Sequence, residues 1–139
     1  MRDWLHVEDH ARGLVDAALH GTPGATYLFG GGAERTNLDV VRTLCRLLDA
    51  RLPDAEPHED LIAFVEDRPG HDHRYAIDAA SAREGLGWAP ARTFEEGLAE
   101  TVDCYLTHAD WVAARVASSG LGRRGTGAAG AGPAGTGTP

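Results

Sequence analysis

The chain has 139 residues, a formal net charge of -8 and 42% hydrophobic residues, as expected for one globular domain. The acidic balance argues against a nucleic-acid or membrane-surface role, and no apolar run is long enough to cross a bilayer. All thirteen basic residues are arginine. Any mechanism that needs a lysine in this chain is therefore excluded, and we expect a cytoplasmic protein with no nucleic-acid or membrane partner.

The first element predicted along the chain is a short strand over residues 4–7. Glu8 and Asp9 follow it and are predicted to open a helix, because acidic side chains interact favourably with the positive end of the helix dipole. Apolar residues then repeat at helical spacing. Gly21 is the predicted end of this helix.

A second strand is predicted over residues 25–29, before the three glycines 30–32. The next helix is predicted to start near Thr36 or Asn37, and its apolar residues have helical periodicity. A further apolar run, residues 61–65, predicts a third strand.

The second half of the chain predicts two helices and a tail. A small helix is expected around residues 79–84. Thr93 and Glu96 have the spacing of a capping box, which predicts the start of a long amphipathic helix that reaches Val116. From Ser118 onward the composition is mostly Gly, Ala, Thr and Pro, which cannot offset the entropy cost of ordering. We therefore expect residues 118–139 to be disordered and residues 1–117 to form the folded part.

Alternation of strands and helices predicts an α/β fold. Three or four short strands make a poor sheet by themselves, so the chain is expected to be part of a larger domain.

Residues 68–78 are the most informative stretch for function. Arg68 precedes Pro69 and Gly70, which suit the second and third positions of a tight turn, and Gly70 is expected to have a positive φ. His71 follows directly. Such a turn can direct backbone N–H groups and nearby cations at one anion, although a polar surface turn is an equally good interpretation on spacing alone.

Other patterns are weaker. Residues 120–125 fit G-x-G-x-x-G, but a predicted helix precedes them and a Gly/Ala tail follows, which does not fit a dinucleotide loop. Residues 6–10 resemble a zinc motif without its conserved acid, so no metal site is predicted. Asn37 fits either a helix cap or a phosphate-binding helix N-terminus. Cys45 and Cys104 are expected to be buried, reduced thiols.

Several segments together resemble the dTDP-glucose 4,6-dehydratases of the extended short-chain dehydrogenase/reductase superfamily. Their motifs are Arg-Asp-Trp-Leu-His-Val-Glu-Asp-His-Ala-Arg-Gly at residues 2–13, the run 34–41, Asp67 to Asp78 with Arg-Pro-Gly-His-Asp, Leu-Gly-Trp-Ala-Pro at 86–90 and Thr-Phe-Glu-Glu-Gly-Leu at 93–98.

The resemblance implies the C-terminal portion of an extended NAD(P)-binding Rossmann-type fold, with the last strand–helix elements and most of the small substrate-binding lobe. In the full-length family, NAD oxidises dTDP-glucose at C4, water is lost across C5 and C6, and the hydride returns to C6. The NAD loop and the Tyr-x-x-x-Lys pair of that family have no counterpart in this chain. Neither catalytic nor cofactor-binding residues are therefore assigned.

The resemblance also implies a substrate site. By motif position, Arg2, Asn37, Arg68 and His71 would contact the nucleotide diphosphate of dTDP-glucose, and Asp67, Pro69 and Gly70 would shape the same loop. Arginine forks suit pyrophosphate oxygens.

Three functional interpretations follow. The first is a truncated dehydratase that keeps part of the dTDP-sugar site and has no turnover alone. The second is a non-catalytic or complementing subunit that works with a separate chain carrying the NAD-binding lobe. The third is a fragment of another nucleotide-sugar enzyme, such as an epimerase or a decarboxylase.

Overall fold

The computed structural model describes residues 1–67 and 69–119. It divides into two compact units, Met1–Ala109 and a second unit that starts at Asp110. The elements are β1 (Arg2–Asp3), α1 (Val7–His20), β2 (Glu34–Arg35), α2 (Asn37–Arg51), a 3₁₀ helix (His58–Leu61), α3 (Ala80–Leu86), α4 (Phe94–Thr107) and α5 (Ala109–Ser119). From Gly120 onward, the predicted tail lies outside the described residues.

The described sheet consists of β1 and β2 alone. They pair antiparallel, with Arg2 opposite Arg35 and Asp3 opposite Glu34. The strand predicted over residues 4–7 is wrong, because His6 is the N-cap of α1 and its Nδ1 accepts a hydrogen bond from the Glu8 N–H. The ladder therefore lies two residues earlier in the chain than the apolar pattern indicated.

The end of α1 and the starts of α2 and α4 agree with the sequence predictions. Gly21 caps the end of α1, and Thr36 caps the start of α2 by accepting a hydrogen bond from the Asp39 N–H. The predicted capping box of α4 is confirmed, since Thr93 and Glu96 each accept from the backbone N–H of the other. These signals act within one turn of the helix, which is why the local sequence contains them.

The other two predicted strands are wrong. Residues 25–29 have no regular structure, and residues 61–65 comprise the end of the 3₁₀ helix followed by irregular chain. An apolar run becomes a strand only where a second strand pairs with it, and no strand of the described residues pairs with these segments. Leu61 is 77% exposed and Phe64 is 84% exposed.

The single helix predicted to reach Val116 is two helices. α4 ends at Thr107, the φ of -110° and ψ of 34° of its C-cap His108 are not helical, and α5 starts at the next residue. The His108 N–H still bonds to the Cys104 carbonyl at 3.0 Å.

The core of the first unit forms around Trp88, which is 2% exposed. Ala79 and Ala82 of the α3 region are buried against it, and Phe29 packs edge-on with ring centroids 4.9 Å apart. Gly13 gives this contact room, since a Cβ there would lie 2.6 Å from the Phe29 ring. Bulky residues at position 13 would therefore displace the aromatic pair.

Asp9 is the buried charge of this core and is 1% exposed. Its carboxylate accepts hydrogen bonds from the Arg12 side chain and from the Arg92 N–H, each at 3.1 Å. Its carbonyl oxygen accepts from the Trp88 indole, also at 3.1 Å. The contacts of Asp9, Arg12, Trp88 and Arg92 tie α1 to the loop before α4, and we call these four residues the Asp9 corner.

Cys45 is buried and free, as predicted, but Cys104 is exposed, so its predicted burial is wrong. The apolar spacing around Cys104 did not show which face of α4 it occupies. None of the helices in the described part of the chain is long and apolar enough to span a membrane.

Candidate functional site

Arg2 is the best-connected side chain of the predicted site. Its Nη1 donates to the Met1 carbonyl at 2.7 Å, and its Nη2 donates to the Asp72 carbonyl at 3.0 Å. The guanidinium carbon lies 4.4 Å from the centre of the Tyr75 ring. β1 therefore presents Arg2 to the loop that follows the predicted Pro-Gly turn.

His71 lies between Arg2 and Asp67. Its Nε2 is 2.5 Å from Arg2 Nη2, and its Nδ1 is 2.7 Å from the Asp67 carboxylate. A guanidinium has only donors, so Nε2 must accept from Arg2 and the imidazole proton is assigned to Nδ1, where it bonds Asp67. Asp67 thus fixes the tautomer that lets His71 receive Arg2.

The turn between Asp67 and His71 has the predicted geometry where it is described. Gly70 has a φ of 71°, which confirms the positive φ predicted for it. Pro69 and Gly70 both lie in the turn and are exposed. Arg68, the other predicted cation, lies outside the described residues.

Asn37 is the first residue of α2, and Thr36 is the cap. Asn37 is therefore not the N-cap of α2, which was one of the two roles considered for it. Asn37 is exposed and lies two residues after Arg35, the residue opposite Arg2 in the strand pair. It also lines one end of an apolar groove of about 510 Å³, which runs along α2 to Phe64.

The structure therefore bonds Arg2 to His71 and His71 to Asp67, and the Pro69–Gly70 turn lies between Asp67 and His71. Asn37 follows the paired strand and is not bonded to that group by any hydrogen bond among the described residues. We call Arg2, Asp67, His71, Asp72 and Tyr75 the Arg2 cluster.

Sequence reasoning missed two members of this cluster, Asp72 and Tyr75. The Tyr75 hydroxyl donates to the Asp72 carboxylate, and the Tyr75 N–H donates to the Met1 carbonyl at 3.0 Å. An aromatic residue four positions after a histidine was the available signal. It could not be used without knowing that Arg2 lies against the ring.

Arg74 has a different role from Arg2. Its Nε and Nη2 bond the two carboxylate oxygens of Glu34 at 2.7 and 2.6 Å. Hydrogen bonds from Arg74 hold the pKa of Glu34 below its usual range. This bidentate pair fastens the 68–78 loop to β2, so Arg74 is engaged in structure rather than facing the turn.

The described residues do not form an NAD loop. Such a loop needs a strand before its glycines and a helix N-terminus directly after them. Glycines 30–32 precede β2 instead, and a Cβ on Gly31 would lie 1.9 Å from the Trp4 carbonyl oxygen. Gly31 therefore allows close packing of two chain segments, and the G-x-G-x-x-G string at 120–125 lies outside the described residues.

Among the described residues there is one group of potential metal ligands, formed by His6, Glu8 and Glu100, whose ligand atoms lie within 4.8 Å of one another. Arg92 already occupies it, with Nη2 2.5 Å from Glu8 and Nε 2.6 Å from Glu100. The group is thus an ion-pair network closed by a guanidinium.

Comparisons with known proteins agree with the resemblance predicted from the motifs. A sequence model of the family described as GDP-mannose 4,6 dehydratase matches residues 1–101. The chain is 48% identical to a dTDP-glucose 4,6-dehydratase of Escherichia coli over 89% of its own length and 35% of that protein. It is 54% identical to a Neisseria gonorrhoeae protein of the same name, over 76% of this chain and 32% of the relative.

A solved structure supports the same conclusion. The crystal structure of a dTDP-glucose 4,6-dehydratase from Bacillus anthracis in complex with NAD superposes with a TM-score of 0.68 at 39% identity. It covers 78% of this chain and 32% of the neighbour. The expectation of NAD as the cofactor of the full-length family agrees with that complex, and the Rossmann-type α/β class predicted from the resemblance is confirmed.

The chain spans about a third of the length of the relatives that it matches. Within that span, the match runs through both β1 and the turn that carries His71. The chain therefore belongs to the GDP-mannose 4,6 dehydratase family.

Proposed function

We propose that residues 1–117 form the nucleotide-diphosphate-binding part of a dTDP-glucose 4,6-dehydratase and that Arg2 and His71 contact the diphosphate. The observation that carries this proposal is the direct contact of Arg2 Nη2 with His71 Nε2 beside a turn with a positive φ at Gly70. The two side chains meet across 69 positions of sequence. The donors of Arg2 that are not used within the cluster suit an anion beside this turn.

The predicted residues fall into two roles in this proposal. Arg2, Asn37, Arg68 and His71 contact substrate, whereas Asp67, Pro69 and Gly70 shape the loop. In support, Asp67 bonds His71 and Gly70 makes the turn, so both act on the position of the imidazole. Oxidation by NAD, loss of water and hydride return belong to the whole enzyme, whose NAD-binding part is not among the described residues. The cytoplasmic location expected from the sequence completes the proposal.

The test is calorimetric titration of the full chain with dTDP. Replacing one charged hydrogen-bonding partner costs about 1.5–3 kcal/mol, so Arg2→Ala, Arg68→Ala and His71→Ala should each weaken dTDP binding by about tenfold or more. Arg42→Ala, on an exposed position of α2, is the matched control and should leave the affinity unchanged. Failure of the parent chain to bind dTDP would reject the proposal.

A second candidate function is a complementing subunit. The observation that favours it is the exposed apolar surface of Phe64 and Val65, which are 84% and 67% exposed beside the apolar groove. Exposed apolar patches of this kind mark surfaces that another chain covers. Mixing the chain with the separately expressed remainder of the Escherichia coli relative should then restore conversion of dTDP-glucose. A mixture as inactive as either component would exclude this function.

A further inference from the structure

Tyr75 is held at both ends. Its N–H donates to the Met1 carbonyl at 3.0 Å, and its hydroxyl donates to the Asp72 carboxylate. The ring is 48% exposed and lies outside the core around Trp88. The side chain is thus fixed in place by polar contacts at the surface, which a purely space-filling role does not require.

The fixed ring lies against the guanidinium of Arg2. The distance from the guanidinium carbon to the ring centre is 4.4 Å, within the range in which an aromatic face attracts a cation. Arginine also stacks its planar group on aromatic rings, and the stack restricts rotation of the long side chain. The Tyr75 ring therefore supports the Arg2 side chain beside its three hydrogen bonds.

The remaining contacts of Arg2 show which donors the cluster uses. Met1 and Asp72 accept through their carbonyl oxygens, and His71 accepts through Nε2. A guanidinium has five N–H groups. Within the part of the chain that the structure describes, these three bonds leave the Nε–H and one Nη1–H of Arg2. The two lie on different edges of the guanidinium, so an incoming anion meets one of them.

We infer that Tyr75 is a positioning residue for diphosphate binding: anchored by Asp72, its ring holds the Arg2 side chain in place with a donor left for the ligand. This inference rests on the proposed function, because it names how Arg2 is prepared for that ligand. Tyr75 itself need not touch the diphosphate. Its effect on affinity passes through Arg2.

A double-mutant cycle tests the inference on the full chain with dTDP as the probe. Tyr75→Leu removes the ring and should weaken dTDP binding about fivefold to tenfold. The same change made together with Arg2→Ala should add less than about twofold, because the residue on which Tyr75 acts is gone. Tyr75→Phe keeps the ring, removes the bond to Asp72, and should restore most of the affinity.

A ligand-free measurement accompanies the cycle. The guanidinium protons of Arg2, assigned by their loss in Arg2→Ala, should be shifted upfield by the ring in the parent chain and in Tyr75→Phe. If Tyr75→Leu fails to fold, the parent and the Phe variant still decide this point, since unshifted Arg2 protons in both would overturn the inference.

The outcomes separate the two proposals. Normal binding by the parent, loss in Arg2→Ala and equal effects of Tyr75→Leu with and without Arg2 would leave the proposed function standing and overturn the role of Tyr75. No binding of dTDP by the parent would overturn both.

Discussion

The Asp9 corner and the 62–67 segment differ sharply although both contain apolar and acidic residues. In the Asp9 corner, Trp88 is buried and bonds Asp9, whose carboxylate meets Arg12 and Arg92. In the 62–67 segment, Phe64 and Val65 are exposed and no regular structure forms. The difference shows that amino-acid composition does not decide which segment becomes ordered. Contacts with distant parts of the chain decide it, and the Asp9 corner has such contacts.

Truncating the large aromatic residue of each region is the strongest test of this comparison. Trp88→Ala should lower the free energy of unfolding by about 3–5 kcal/mol, because it empties the centre of the core. Phe64→Ala, its counterpart in the 62–67 segment, should change it by less than about 0.5 kcal/mol. Urea unfolding followed by far-ultraviolet circular dichroism measures both. Equal losses would show that the 62–67 segment is packed in solution.

Removing the buried charge of Asp9 tests the electrostatic part of the difference between the Asp9 corner and the 62–67 segment. Burial raises the pKa of Asp9, but hydrogen bonds from the Ala91 and Arg92 N–H groups and the charges of Arg12 and Arg92 outweigh it and hold that pKa below its usual range. A carboxyl with a depressed pKa contributes stability above its unfolded value of about 3.9 and loses it as the pH falls through the folded value.

Asp9→Asn should therefore lower the free energy of unfolding by about 2 kcal/mol at pH 7, and the difference from the parent should shrink below about pH 4. Glu66→Gln changes an exposed carboxyl of the 62–67 segment and serves as the control, with no change expected. The measurement is the urea midpoint of each protein from pH 3 to pH 7. A difference that stays constant over this range would contradict the assigned role of the Asp9 charge.

The capping box gives the smallest effect. Thr93→Ala removes the side chain that accepts from the Glu96 N–H and should cost about 1 kcal/mol. Thr107→Ala, at the exposed end of α4, is the matched control and should cost only a few tenths. Thermal unfolding of the two variants side by side decides the point, and equal midpoints would show that the start of α4 does not need its cap.

The sequence predicted those features that depend on neighbouring residues. Thr36, Gly21 and the Thr93–Glu96 pair marked helix ends because a cap bonds within its own turn. Gly70 marked a turn for the same local reason. Strands were predicted poorly because a ladder needs a distant partner, as the pairing of Arg2 with Arg35 demonstrates.

The residues of the candidate site were likewise predicted only in part. Motif resemblance pointed to Arg2 and His71, and the structure places them in contact. The support from Tyr75 and Asp72 depends on three-dimensional proximity to Arg2, which no local pattern encodes. Asp67 was expected to shape the loop, and in the structure its Oδ1 bonds His71 Nδ1.

The two cysteines differ in how readily they should react with an alkylating reagent. Burial, followed by the nearby charges of Glu59 and Asp49, raises the pKa of the Cys45 thiol, whereas Cys104 lies exposed on α4. Thiolates are the species that react with alkylating reagents. A maleimide dye should therefore attach to the native protein at one position, so that fluorescence from α4 can report on assembly or ligand binding without any engineered residue.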